Sequence, residues 1–293
     1  MPERYTRRRM TDRRDGRRLR TISPIFQLSP FTMLSPADAA VGFSDAADVS
    51  ALETWLRARR AAGDDGVSLI HIVIAAYVRT LALYPALNRF VAGRFIYARD
   101  AIDIVLPAGG AAADMGSMAV TVRFQATDTV YDVYRKINTR LDNLKADQSA
   151  DRLERLAATL VKTPRFILRF GIAVLRWMDY HGWLRPSLAG KSPYHGSAVI
   201  SDDGASHLPP LFRGINSTGA LPVSVSVGRI RAVTELDKAG QPHDRKLMDF
   251  AVTYDSRIVD SAYMGAAFRY FRYFLSNPDT LENPPERVNE DAL

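Results

Sequence analysis

Apolar residues in this chain recur with two periods, and the switches between them predict the layout. Leu52, Trp55 and Leu56 mark one face of a helix over residues 45–62, with Asp45 or Asp48 as its cap and Gly63 as its stop. Residues 68–84 (SLIHIVIAAYVRTLALY) are apolar nearly all round, which predicts a core helix opened by Ser68 and ended before Pro85. The period then shortens to two. Residues 94–106 and 118–125 alternate as strands, with Gly109 and Gly110 marking a turn between them. A helical stripe returns at Val133, Ile137, Leu141 and Leu144, predicting a helix over 129–146 with Thr129 as cap; residues 151–162 continue in helix. The last third is strand-rich. Residues 196–201, 222–230 and 247–254 alternate, and the turn-forming Lys238–Pro242 makes the last two a hairpin. Residues 261–275 form a final helix stopped by Asn277 and Pro278. Pro24, Pro30 and Pro36 predict extended pieces before the first helix. Strands mixed with helices without strict alternation point to an α/β fold, an α+β sandwich with a central mixed sheet flanked by helices.

Residues 165–184 (RFILRFGIAVLRWMDYHGWL) do not fit that scheme. They are bulky and apolar, with Arg165, Arg169 and Arg176 interspersed. Two readings are open: a helix lying on an anionic membrane, or one covering a hydrophobic surface of its own fold or trimer.

The net charge of +7 is unevenly placed. Residues 1–20 hold nine arginines against three acids, so the remainder is close to neutral. Such a segment cannot bury apolar surface, and residues 1–20 are expected to be a disordered tail suited to an anionic membrane or a polyanion. No apolar stretch follows it as in a secretory signal, and no uncharged run approaches the ~20 residues of a membrane span. The expectation is a cytoplasmic protein with room for peripheral membrane contact. The chain has no cysteine, which excludes disulfides, thiolate metal sites and a cysteine nucleophile. His71, His181, His195, His207 and His243 are scattered, and no metal site is expected. Phosphate loops, dinucleotide fingerprints, zinc-protease helices and nucleophile elbows are all missing.

The informative stretch is Val252–Leu275 (VTYDSRIVDSAYMGAAFRYFRYFL) followed by NPDTL. It resembles the C-terminal signature of the acyltransferase catalytic domain of 2-oxo acid dehydrogenase complexes, a family that shares the chloramphenicol acetyltransferase fold. Tyr254, Asp255, Arg257 and Asp260 fit that signature, as do Asn277, Pro278 and Leu281. Residues 84–88 (YPALN), 196–204 (GSAVISDDG) and 215–230 (INSTGALPVSVSVGRI) resemble further family segments in the same order. The resemblance covers residues 20–282. It implies a single acyltransferase-like domain over 21–282, with an apolar helical insertion at about 150–190 and a C-terminal tail, 283–293. With no lipoyl-domain region ahead of it, the chain looks like a stand-alone relative.

The resemblance also implies a site. Ser201 aligns with the hydroxyl that donates to the tetrahedral oxyanion. Asp260 aligns with an aspartate that helps hold the histidine loop, and Asp255 and Arg257 with residues that are largely structural through ion pairing. The family's general base is a histidine, suited by its near-neutral pKa to taking a proton from the thiol of coenzyme A or dihydrolipoamide. Here that position is Ser256, which cannot do so unaided. His195, nearest in sequence to the Ser201 strand, is the candidate substitute. Two functions follow from the resemblance. One is acyl transfer from acyl-coenzyme A, or another small thioester, to an unknown acceptor. The other is a trimeric scaffold or ligand-binding pseudoenzyme. A homotrimer is implied in both, and no specific nucleic acid partner is expected.

Overall fold

The computed structural model describes residues 12–63, 66–108, 118–146, 159, 161–184, 192, 194–216, 219–236 and 240–291. Its backbone is a six-stranded sheet in the order β2-β9-β8-β7-β5-β6. The strands are β2 (Ala40–Asp48), β5 (Ile102–Ala108), β6 (Met118–Phe124), β7 (Ala198–Asp202), β8 (Val223–Leu236) and β9 (Pro242–Asp255). β7 runs parallel to both β5 and β8, and the other pairings are antiparallel, so the sheet is mixed as expected. β8 and β9 form the expected hairpin.

One face of the sheet carries the core. Val225 and Val227 of β8, and Phe250, Val252 and Tyr254 of β9, meet α3 (Leu69–Leu83) and the C-terminal helix α6 (Ser261–Ser276). Phe250 packs edge-on against Phe271 at 5.5 Å and tilted against Phe268 at 6.0 Å. The all-round apolar character of α3 is explained by its burial from His71 to Ala82. α2 (Ser50–Ala61) and α4 (Val130–Ala146) complete the layer, α4 through buried Val133 and Ile137.

Several boundaries differ from the sequence reading. The stretch read as the start of a helix at 45 is the end of β2, paired with β9 residue for residue from Ala40↔Asp255 to Asp48↔Leu247. The helix begins at Ser50, whose amide and hydroxyl both donate to the Asp48 carboxylate. Residues 94–106 form not one strand but two, in different sheets. β4 (Phe95–Arg99) joins β1 (Gly16–Arg18) and β3 (Arg89–Ala92) in a three-stranded sheet, and the chain turns at Asp100 into β5. Residues 24–32, read as extended, are helix α1 (Pro24–Thr32). Pro24 sits in its first turn, where no amide bond is lost, and the Phe26 carbonyl that Pro30 cannot serve accepts from Ser29 Oγ at 2.8 Å. The helix expected over 151–162 and the glycine turn at 109–110 lie almost wholly outside the described residues.

Both ends of the domain also differ. Residues 12–20 are not a disordered tail. β1 pairs with β4, Leu19 is buried, and Gly16 passes so close to the Ala98 carbonyl that a Cβ would stand 2.7 Å from it. Residues 283–291 strap the back of α3. Asn289 bonds the Ala82 and Leu83 carbonyls, and Asp291 pairs with Arg89.

α5 (Arg165–Tyr180) has no buried residue. It therefore does not cover a hydrophobic surface of its own chain. It is fastened at its C-terminal end, where Asp179 pairs with Arg13 at 2.8 Å and the Tyr180 carbonyl abuts the β3–β4 turn at Gly93.

Candidate functional site

Ser201 lies on β7 opposite Ser226 of β8, on the sheet face turned away from the helices. Residues 208–216 return across that face, which Gly204 and Gly228 permit: a Cβ on Gly204 would meet the Gly228 carbonyl at 2.5 Å, and one on Gly228 would meet Pro210 at 2.4 Å. This segment brings Arg213 over the strand. Arg213 Nε donates to Ser201 Oγ at 3.0 Å and its Nη2 pairs with Asp203. Ser201 Oγ points its own donor at Asp203 Oδ2, 3.4 Å away. Ser226 Oγ also donates to Asp203, and accepts from the Leu211 amide at 2.8 Å. Ser201 is 3% exposed. Its hydroxyl is thus enclosed in a four-residue network, with its proton directed at a carboxylate.

Ser256 occupies the turn after β9, held by its amide on the Ala39 carbonyl at 2.9 Å. Its hydroxyl faces Met33 Sδ at 3.8 Å, a weak acceptor and no base. Asp255 and Arg257 on either side are buried and paired through two guanidinium nitrogens, and Arg257 Nη1 also donates to the Met33 carbonyl at 3.1 Å. The two residues thus form a buried ion pair that also bonds the residue after the first helix. Asp260 does not reach the Ser256 turn through any bond of its side chain shown here. It is exposed and caps α6, accepting from the Tyr263 amide at 2.7 Å.

The register of the strands shows that these residues do not converge in one chain. Ser201, Ser226 and Ala251 stand side by side on β7, β8 and β9. Ser256 is five residues beyond Ala251, so it lies about 17 Å further along the sheet and about 10 Å across it, roughly 19 Å from Ser201. His195, like Ser256, stands far from Ser201 within one chain. The parallel pairings His195↔Ala220 and Ser201↔Ser226 keep β7 extended between them, which separates the two residues by about 20 Å.

His195 instead belongs to a buried charged cluster below α5, where its Nε2 is 3.4 Å from Asp179 Oδ2. Burial works against the Asp179 charge, but the neighbouring His195 imidazole and the hydrogen bond from Arg13 outweigh it and hold this carboxyl below the ordinary carboxylate range. Arg13, which also pairs with Asp15, has its pKa raised; burial opposes this and the two acids prevail. Neither Arg13 nor Asp179 stands out in the sequence. Nor does Arg213, which sits in a segment without period, whereas Asp203 lies within the family-like GSAVISDDG.

A thioester would have to reach both Ser201 and the 256 position. One chain does not fit that group, since the two are far apart and Ser201 is enclosed. The cavity beside the Ser201 network, about 410 Å³, is lined by Gly42, Phe212, Arg213, Gly214 and Thr253. The one beside the Ser256 turn, about 240 Å³, is lined in part by Pro30, Leu34, Arg94 and Arg257. Among the described residues no cluster of three or more histidines or acids could hold a metal ion.

No protein-family model and no curated protein matches the sequence. Solved structures do match. A probable dihydrolipoamide acetyltransferase from Listeria monocytogenes aligns over 87% of this chain and 93% of its own, with a TM-score of 0.55 and 15% identity. The dihydrolipoamide acetyltransferase of Azotobacter vinelandii aligns over 88% of both chains, with a TM-score of 0.54 and 14% identity. The cubic core of a pyruvate dehydrogenase multienzyme complex gives 88% of both chains, a TM-score of 0.53 and 15% identity. The fold of this chain is therefore that of the acyltransferase catalytic cores of 2-oxo acid dehydrogenase complexes, as the C-terminal signature led one to expect.

Proposed function

We propose that this protein keeps an acyltransferase fold without its chemistry and acts as a trimeric scaffold or ligand-binding protein. The observation that carries this reading is the enclosed Ser201 hydroxyl, bonded by Arg213 and directed at Asp203. An oxyanion donor must already be aimed at the place where the charge develops, and this hydroxyl is aimed at a carboxylate. At the other half-site, Ser256 has a thioether for a neighbour where a base is needed. In the Azotobacter vinelandii enzyme a serine, a histidine and an asparagine have been investigated for their role in the catalytic mechanism. Position 256 of this chain offers no imidazole. The homotrimer is carried over from the likeness to acyltransferase cores, one of which is the cubic core of a multienzyme complex.

The test is transfer from acetyl-coenzyme A to dihydrolipoamide and a panel of small thiols and amines, followed by thiol release, for the natural chain and Ser256→His. Both are expected to stay at background, and calorimetry with coenzyme A is expected to show no binding. Micromolar binding of coenzyme A would mean that a thioester channel survives, and turnover by the natural chain or by Ser256→His that Ser201→Ala then lowers by about ten- to a thousandfold would overturn the reading in favour of acyl transfer.

A further inference from the structure

Two features that are separate in the sequence, the arginine-rich N-terminal segment and the apolar helix α5, meet in the fold. Arg13 bonds both the Asp179 carbonyl and its carboxylate, and its side chain lies against Gly182, so the basic segment is docked at the C-terminal end of α5. Beyond that end, α5 is exposed along its length. Arg165, Arg169 and Arg176 fall within an arc of about 40°, Phe166, Ile167, Phe170, Val174 and Trp177 occupy about 100° of the other side, and exposed Leu175 and Ile172 lead round to the flank of the arginines. Phe170 is 72% exposed and Trp177 53%. The one acid of the helix, Asp179, is taken up by Arg13. α1 adds to the same region. Ile25, Leu28 and Phe31 are exposed at three-residue spacing, and its end meets α5 at the cavity lined by Pro30, Leu34, Arg176 and Tyr180.

We propose that α5, with the basic segment docked at its end, is a surface that lays the protein on an anionic lipid bilayer. A helix with bulky aromatic and aliphatic residues on one side and arginines on the other lies in the headgroup boundary, apolar side down. Charge matches α5 to anionic lipid and opposes a symmetric contact between two copies of it. A symmetric contact through α5 would bring a second set of its arginines, and a second basic segment, into the same place, and like charges oppose that. No helix among the described residues is long and apolar enough to cross a membrane, so the contact is one of lying on the surface.

The experiment is flotation of the full chain with phosphatidylcholine vesicles, with and without phosphatidylglycerol, read alongside tryptophan emission. The chain is expected to float with the anionic vesicles, less so in high salt. Emission is expected to shift to the blue, because Trp177 and Trp183 are 53% and 60% exposed while Trp55, the third tryptophan, is 7% exposed. Replacing Arg165, Arg169 and Arg176 by glutamine should weaken binding by about fivefold per arginine. Phe170→Glu with Trp177→Glu should abolish it, with circular dichroism unchanged because both side chains are exposed. The proposal is overturned if the natural chain ignores anionic vesicles, or if the variants float equally well. It is also overturned if Phe170→Glu with Trp177→Glu splits an oligomer in sedimentation while vesicle binding stays the same; α5 would then be an interface between copies.

Discussion

Arg257→Met isolates what the Asp255–Arg257 pair contributes. Both side chains are almost fully buried, 5% and 4% exposed. The guanidinium reaches the carboxylate through Nε at 2.8 Å and Nη2 at 2.6 Å, and Nη1 spans to the Met33 carbonyl at 3.1 Å. Methionine keeps much of the volume and removes all of these. Asp255 is then left with one donor to its carboxylate from the pair, the Arg257 backbone amide at 3.0 Å. A buried charge stripped of its partner costs about 3–5 kcal/mol. For a chain of this size that lowers the melting temperature by roughly 6–20 °C, read by circular dichroism on the full chain. Asp255→Leu combined with Arg257→Met removes the stranded charge as well. What remains lost is the bond to Met33 and the turn bond at the Arg257 amide, about 1–2 kcal/mol together. The double variant should therefore be more stable than the single one. A single variant that loses under ~1 kcal/mol, or a double variant less stable than the single, would refute the view that this pair is a structural clamp joining the β9 turn to the end of α1.

Three further outcomes follow from the packing. His71 Nδ1 accepts from the Ser68 amide at 3.0 Å in the first turn of α3, and burial holds its pKa below the ordinary value. A lowered folded-state pKa means full stability above about 6.5 and loss as pH falls below it; His71→Gln, which can still complete the capping box, should flatten that slope in urea titrations, and parallel slopes would count against it. Deleting residues 283–293 removes the Arg89–Asp291 pair and both Asn289 bonds to α3, and should cost about 2–4 kcal/mol in thermal unfolding, whereas an unchanged midpoint would mean the strap is idle. Arg213→Ala unlocks Ser201 and should destabilise by about 1–3 kcal/mol without creating coenzyme A binding in calorimetry; new binding would show that the network masks a working thioester site.

The parts of the fold that announce themselves in the sequence are those whose pattern is set by their own burial. Residues Ile72–Val78 are apolar all round because α3 is enclosed all round, and the alternation of Val223, Val225 and Val227 follows from one buried face. β2 gives no such signal. Of its nine residues only Ala47 is fully buried, and its strand character comes from pairing with β9 rather than from its composition. β1 (GRR) is a more extreme case, since a basic tripeptide reads as solvated until Arg13, Asp15 and Asp179 neutralise one another beside it. At the candidate site, Ser201, Asp255 and Arg257 were legible through the family-like segments. Asp260 had a plainer signal available, an aspartate just ahead of a helix, and it proves to be that helix cap. Arg213 and Asp203 were not legible as a lock, because their meeting depends on where an aperiodic segment crosses the sheet.

The two departures from the family's site lie about 19 Å apart within one chain. Loss of a positioned general base removes about two to four orders of magnitude, and loss of an oxyanion donor about two to three. Both groups would act on the same transition state, so the two losses do not simply add. Oligomerisation does not reverse either loss. A neighbouring copy that brought its 256 position to Ser201 would deliver a serine hydroxyl to a hydroxyl already committed to Arg213 and Asp203. The same network gives the serine a structural role that needs no chemistry. On a sheet face that carries no helix layer, Ser201, Ser226, Asp203 and Arg213 satisfy one another, and Ser226 takes the Leu211 amide of the covering segment. A buried carboxylate such as Asp203 needs those donors in any case, and Ser201 is one of them.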